Sequence, residues 1–244
     1  MLASLPARLV LSPVLLVQAL MVRRRALVLP DPSGARQGIA GQGPALRVLI
    51  LGDSSALGVG TDHQDSALSG RVVAELAQQF TVHWQVEATS GATSADTLAH
   101  IRRMEQPSGF DVAISALGVN DLTRQVPISR WTQQQGALTA LLQERFAIEA
   151  QWRVGLPPMQ CFPLLPRPLS SVLGAQARAY DRVLAQATVS PPQGLRALGH
   201  LPFDVSRFDP SLMAEDGFHP SAALYEAMAR ELAPAIAQTF SRTP

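Results

Sequence analysis

Asp216-Gly217-Phe218-His219-Pro220 sets a carboxylate three residues ahead of an imidazole. Within one turn the carboxylate can reach the ring, fix its tautomer and leave the far nitrogen free to accept a proton. A hydroxyl to give that proton stands in Gly52-Asp53-Ser54, at a strand-to-loop junction where the side chain and the backbone N–H of Ser54 can both face a cleft. Acyl transfer also needs donors for the oxyanion that forms on the attacked carbonyl. Gly91 has no side chain, so its N–H can approach a substrate oxygen closely, and Asn120 offers a side-chain amide. Losing one such donor typically costs about 10²–10³ in rate. The chemistry these types imply is attack by Ser54 on an ester carbonyl, with His219 as base and Asp216 orienting it. Because the base must be neutral, kcat/KM is expected to fall on the acid side.

The alternation of apolar runs and amphipathic stretches must position these groups. Leu46–Leu51 reads as a buried strand running into Gly52-Asp53-Ser54, and Ser66–Phe80 as a helix with Leu68, Val72, Leu76 and Phe80 on one face. Val82–Glu87 is a second strand ending near Ser90-Gly91, followed by a helix over Ser94–Met104. Val112–Leu117 is a third, followed by Gly118-Val119-Asn120-Asp121. A helix over Trp131–Ala150, a strand at Arg153–Leu156, a helix over Val172–Ala187 and a strand at Leu195–Leu198 come next. A last helix starts at Pro220, which suits a first helical position, so that His219 is expected at a helix entrance whose dipole disfavours imidazolium. Five alternations predict a parallel sheet covered on both faces, with ligands beyond the carboxyl ends of its strands. Ser54, Gly91 and Asn120 all fall at such ends.

Each motif alone has an ordinary reading: a turn at Gly-Asp-Ser, a tight turn at Gly91, helix caps at Asn120-Asp121 and Asp216. Their conjunction, in order, is what points to a site. Gly52-Asp53-Ser54-Ser55, Gly91 in Ser-Gly-Ala-Thr, Gly118-Val119-Asn120-Asp121 and Asp216-Gly217-Phe218-His219-Pro220 resemble the four blocks of the SGNH (GDSL-type) hydrolases. The resemblance spans Val48 to about Leu232 and departs at Ser55, where many members carry Leu. It implies a flavodoxin-like three-layer α/β/α sandwich, here with a five-stranded parallel sheet, and ester hydrolysis through an acyl-enzyme. It also implies an oxyanion hole made of the N–H of Ser54, the N–H of Gly91 and the amide of Asn120.

The loop Pro157–Pro168 is expected near the cleft, with Met159 and Phe162 walling an acyl pocket and Met213 and Phe218 facing them. With little polar sugar-binding signature, a short- to medium-chain ester or thioester is favoured over a glycan acetyl group. Transfer of the acyl group to an alcohol acceptor and a non-catalytic binding module on the same fold are the other readings.

Composition narrows the field. At 244 residues, 47% hydrophobic and 16% charged, the chain can bury one substantial core. All 20 basic residues are Arg, so Schiff-base and P-loop lysines are excluded. Residues 48–244 carry 14 Arg against 18 acidic residues, which leaves no basic footprint for nucleic acid. The five histidines are scattered, so no metal site and no cofactor is implied, and the single Cys161 excludes an internal disulfide. Residues 1–29 form an apolar and basic segment whose apolar run, Leu9–Val22, is too short to span a bilayer and is followed by Arg23-Arg24-Arg25 where a cleavage site would stand. It reads either as a helix packed on its own domain or as an interfacial anchor. In the second case the arginines and all that follows are expected in the cytoplasm. Residues 30–45, rich in Gly and Pro, read as a linker, and 46–240 as the hydrolase domain.

Overall fold

The computed structural model describes residues 5–105, 109–206 and 208–241, with side chains from residue 12 onward; residues 1–4 of the N-terminal segment lie outside them. The layers follow from strand alternation. In the central strand β2 (Ala45–Gly52), Val48 and Ile50 face one side and Leu49 and Leu51 the other, all four fully buried. Val48 and Ile50 join a core filled by α3 (Leu68–Leu76), α7 (Leu169–Ala187) and α8 (Ala222–Ser241). Leu49 and Leu51 pack with residues of α4 (Ser94–Arg103) and α6 (Ile128–Phe146). The result is a three-layer α/β/α sandwich.

The sheet has six strands, not five, in the order β1-β3-β2-β4-β5-β6, where β1 is Gln37–Ala40, β3 Thr81–Ala88, β4 Val112–Ala116, β5 Ala150–Val154 and β6 Ala197–Leu201. All neighbours are parallel except β1, which runs antiparallel along β3 from Gln37↔Gln85 to Ala40↔Val82. This edge strand comes from the stretch read as a linker. Its four residues, Gln-Gly-Ile-Ala, are too few and too polar to carry a period, and Ile39 stays 67% exposed. Every residue of β4 is buried, as a strand covered on both faces requires.

Two boundaries bear on the site. The helix expected over Ser66–Phe80 is a 3₁₀ turn at Gln64–Ser66 followed by α3, although Leu68, Val72, Leu76 and Phe80 are all buried. The last helix begins at Ala222 rather than Pro220. Pro220 instead bridges Met213, and the Ala214 and Ser221 N–H groups bond the carbonyls of His219 and Leu212, so Pro220 pairs with a second segment rather than opening the helix. His219 therefore stands ahead of the helix, and the expected dipole effect on it is correspondingly reduced, since that field falls off within one turn. Among the described residues no helix is long and apolar enough to cross a membrane.

Candidate active site

The chain turns sharply where β2 meets the end of β4. Gly52 has φ +151°, and a Cβ there would lie 2.1 Å from the Ala116 carbonyl oxygen, so only glycine lets the two backbones approach this closely. The Asp53 N–H donates to that same carbonyl, and the Asp53 carboxylate caps the one-turn helix α2 (Ser54–Leu57) by accepting from the Ser55 N–H at 2.9 Å. Ser54 thus opens a helix, with its N–H lacking an intrahelical acceptor.

From the other end of the chain, His219 arrives with its Nε2 at 2.9 Å from Ser54 Oγ and its Nδ1 at 2.5 Å from Asp216 Oδ2. The other oxygen, Asp216 Oδ1, accepts from the Phe218 and His219 N–H groups, both at 2.9 Å, which locks the carboxylate in place. Burial opposes ionisation of Asp216, but these hydrogen bonds from the His219 ring and the two backbone groups outweigh it and hold the carboxyl below the ordinary aspartate value. An ionised Asp216 can only accept, so Nδ1 carries the hydrogen and Nε2 is the free base facing Ser54. Chemically, this arrangement can strip the proton from a serine hydroxyl.

The expected oxyanion donors are placed less uniformly. Gly91 takes φ +78°, open to glycine at little cost, and its N–H has no partner among the described residues. Its carbonyl, on the following peptide unit, accepts from the Arg124 guanidinium at 2.9 Å. Gly91 lies on a polar depression beside the cleft rather than on the cleft wall. Asn120 does line the cleft, at the second position of α5 (Val119–Thr123), but its Nδ2 donates to Asp53 Oδ2 at 3.2 Å and to the Ala92 carbonyl at 3.1 Å. Both amide hydrogens therefore have acceptors already. The neighbouring Asp121, fully buried, accepts from the N–H and hydroxyl of Ser94 and so ties the Asn120 turn to the start of α4.

A family model for the GDSL-like lipase/acylhydrolase family matches residues 50–227. The chain belongs to that family. As a GDSL-like hydrolase it is a carboxylic ester hydrolase. Solved structures agree on the fold. A carbohydrate esterase family 2 enzyme with a carbohydrate-binding domain from Corynascus thermopiles (Myceliophthora fergusii) is 14% identical, with a TM-score of 0.63 over 83% of this chain and 68% of that one. The acetylxylan esterase Axe2 from Geobacillus stearothermophilus is 16% identical, with a TM-score of 0.53 over 81% and 94%. A lipolytic protein of the G-D-S-L family from Veillonella parvula is 12% identical, with a TM-score of 0.58 over 81% and 100%. A comparison with curated proteins finds no match.

Beside Ser54 and His219 the GDSL-like domain opens a cleft enclosing about 50 Å³ of solvent-accessible space. Phe162, Met213 and Phe218 line it. Met159 does not: the 3₁₀ turn Met159–Cys161 drives its side chain fully into the core. Its place is taken by residues the sequence left unassigned, among them Val154, Leu156, Phe203 and, from α8, Leu224 and Met228. Phe162 packs edge-on against Phe218 and stacks with Phe208, and Phe218 meets the His219 ring edge-on at 5.3 Å. The i,i+4 spacing of Leu224 and Met228 puts both on one face of α8, but nothing in that spacing distinguishes core from pocket.

Asp53 carries a testable consequence. Burial pushes its carboxyl up to about 6, against the lowering pull of the Ser55 N–H, the His219 charge and the Asn120 amide; the buried Asp121 adds a further upward push. Below about pH 4 the group is protonated in folded and unfolded chains alike. Between about 4 and 6 the folded protein binds the extra proton, so stability falls as pH rises and is lowest above the folded value. Asp53→Asn, which cannot ionise, should therefore gain stability relative to wild type between pH 5 and pH 8, read by thermal melts at both. It should also lower kcat, because an asparagine amide nitrogen facing Asn120 would no longer accept. A stability difference that does not vary with pH would contradict the buried charge.

Proposed function

We propose that the protein hydrolyses esters or thioesters of short- to medium-chain acids through an acyl-enzyme on Ser54, with acyl chains at the short end preferred. The observation that carries this reading is the 2.9 Å contact of Ser54 Oγ with a His219 ring whose other nitrogen is held by Asp216. Ser54 Oγ attacks the carbonyl carbon as its proton passes to His219 Nε2. The carbonyl–oxygen (or sulfur) bond then breaks, and His219 returns the proton to the leaving alcohol or thiol. Water, deprotonated by the same nitrogen, cleaves the acyl–Ser54 bond to release the acid and regenerate the hydroxyl. The N–H groups of Ser54 and Gly91 and the Asn120 amide stabilise the oxyanion, Asn120 by sharing or surrendering its bond to Asp53 or Ala92. Asn120→Ala should lower kcat by about 10²–10³ with little change in KM; a loss under about fivefold would remove Asn120 from the hole.

Cleft size favours short chains. The space beside Ser54 is narrow, and the packed rings of Phe162, Phe208 and Phe218 bound it. Across p-nitrophenyl esters from acetate to decanoate, kcat/KM should peak at butyrate or shorter, and Phe162→Ala should move the peak to longer chains. A wild-type optimum at decanoate would overturn the pocket assignment. Turnover confined to acetylated polysaccharide would overturn the substrate class. The proposal also includes peripheral contact of the N-terminal segment with a membrane on the cytoplasmic side, where arginines are favoured.

A further inference from the structure

Among the side chains described for the helix α1 (Leu5–Arg25), a stripe of Leu15, Gln18 and Val22 touches the rest of the protein. Leu15 and Val22 pack on the core, and Gln18 between them clamps the start of α7, its Nε2 donating to the Arg167 carbonyl at 2.6 Å and its Oε1 accepting from the Leu169 N–H at 3.0 Å. The remaining described face is apolar and open to water: Val14, Leu16, Val17, Leu20 and Met21 are 41–62% exposed. Leu27 and Val28 continue it, so that seven of the eleven large apolar residues exposed in the described chain lie between residues 14 and 28. Such concentration marks a surface meant to be covered.

We propose that this face docks on an anionic lipid bilayer, with α1 lying in the interface. Arg23, Arg24 and Arg25 close the helix with no carboxylate partner among the described residues, and α1 contains no acidic residue. A second copy of α1 would leave these cations unmatched, whereas anionic headgroups above an acyl layer match both the charge and the apolar face. Because the clamp sits at Arg167–Leu169, directly after the loop that carries Phe162 to the cleft wall, docking holds the cleft near the lipid surface. This deepens the membrane contact proposed above and rests on no step of the ester chemistry.

The test is flotation of the full chain with phosphatidylcholine vesicles and with vesicles containing phosphatidylglycerol. Partitioning to the anionic vesicles should be roughly 100-fold stronger, from three arginines each worth about fivefold, and should fall with salt. Replacing Arg23, Arg24 and Arg25 together by Gln should abolish that preference. Leu16→Ser, Val17→Ser and Leu20→Ser combined should weaken binding at least tenfold while p-nitrophenyl butyrate turnover in vesicle-free buffer is unchanged. No binding, or equal binding to both vesicles, would overturn the proposal. So would a wild-type dimer by light scattering that the triple Ser variant turns into a monomer. Vesicle binding remains readable if no ester is hydrolysed, which separates failure here from failure of the hydrolase reading.

Discussion

Ser54→Ala should reduce kcat on a short-chain ester by about 10⁶-fold, to the level left by binding and oxyanion donors alone. The expectation follows from how little else is near: in the described structure His219 Nε2 bonds only the Ser54 hydroxyl, and removing one oxygen takes away both the nucleophile and the proton donor that this base faces. The fold should be untouched. The Ser54 side chain makes no other hydrogen bond given by the structure, and α2 is held by the Asp53 cap and the Gly58 left-handed turn, which an alanine leaves intact. Steady-state kinetics and a thermal melt on the same preparation check both halves. A variant that melts normally and keeps more than about 1% of wild-type kcat would mean that another group performs the attack.

Asp216→Asn should cost about 10⁴ in kcat, more than a lost hydrogen bond would suggest. Asp216 does two jobs with two oxygens: Oδ1 accepts two backbone N–H groups and shapes the turn, while Oδ2 fixes the imidazole tautomer. The amide retains the first through its oxygen and so presents NH2 to Nδ1. That nitrogen must then accept, Nε2 carries the hydrogen, and the base facing Ser54 is lost. The variant should fold, because the backbone bonds survive, and its deficit should lie in kcat rather than KM. A loss under about tenfold would mean that the ring is oriented by something other than Asp216.

The four motifs were legible because each is local and three of them directly follow a strand. Asp216 and His219 share one turn, and Ser54, Gly91 and Asn120 follow β2, β3 and β4, whose order in space follows from parallel crossovers. What the sequence hid depends on long-range packing. Met159 and Phe162 are three residues apart in one proline-rich loop, yet a single 3₁₀ turn sends the first into the core and leaves the second on the cleft. Phe203 and Met228 reach that same cleft from β6's exit and from α8, and no spacing relates them. Strand β1 escaped because its four residues gain their place from β3's free edge rather than from any pattern of their own. That the Asn120 amide is already bonded to Asp53 and to the Ala92 carbonyl likewise depends on contacts that no local motif reveals.

The central claim is that a covalent bond forms at Ser54. Incubating the full-length protein with diethyl p-nitrophenyl phosphate and mapping the adduct by peptide mass spectrometry tests it most directly. One phosphoryl adduct, on the peptide bearing Ser54, absent in Ser54→Ala and strongly slowed in His219→Ala, is the predicted result. An adduct on any other residue, accompanied by loss of esterase activity, would contradict the account.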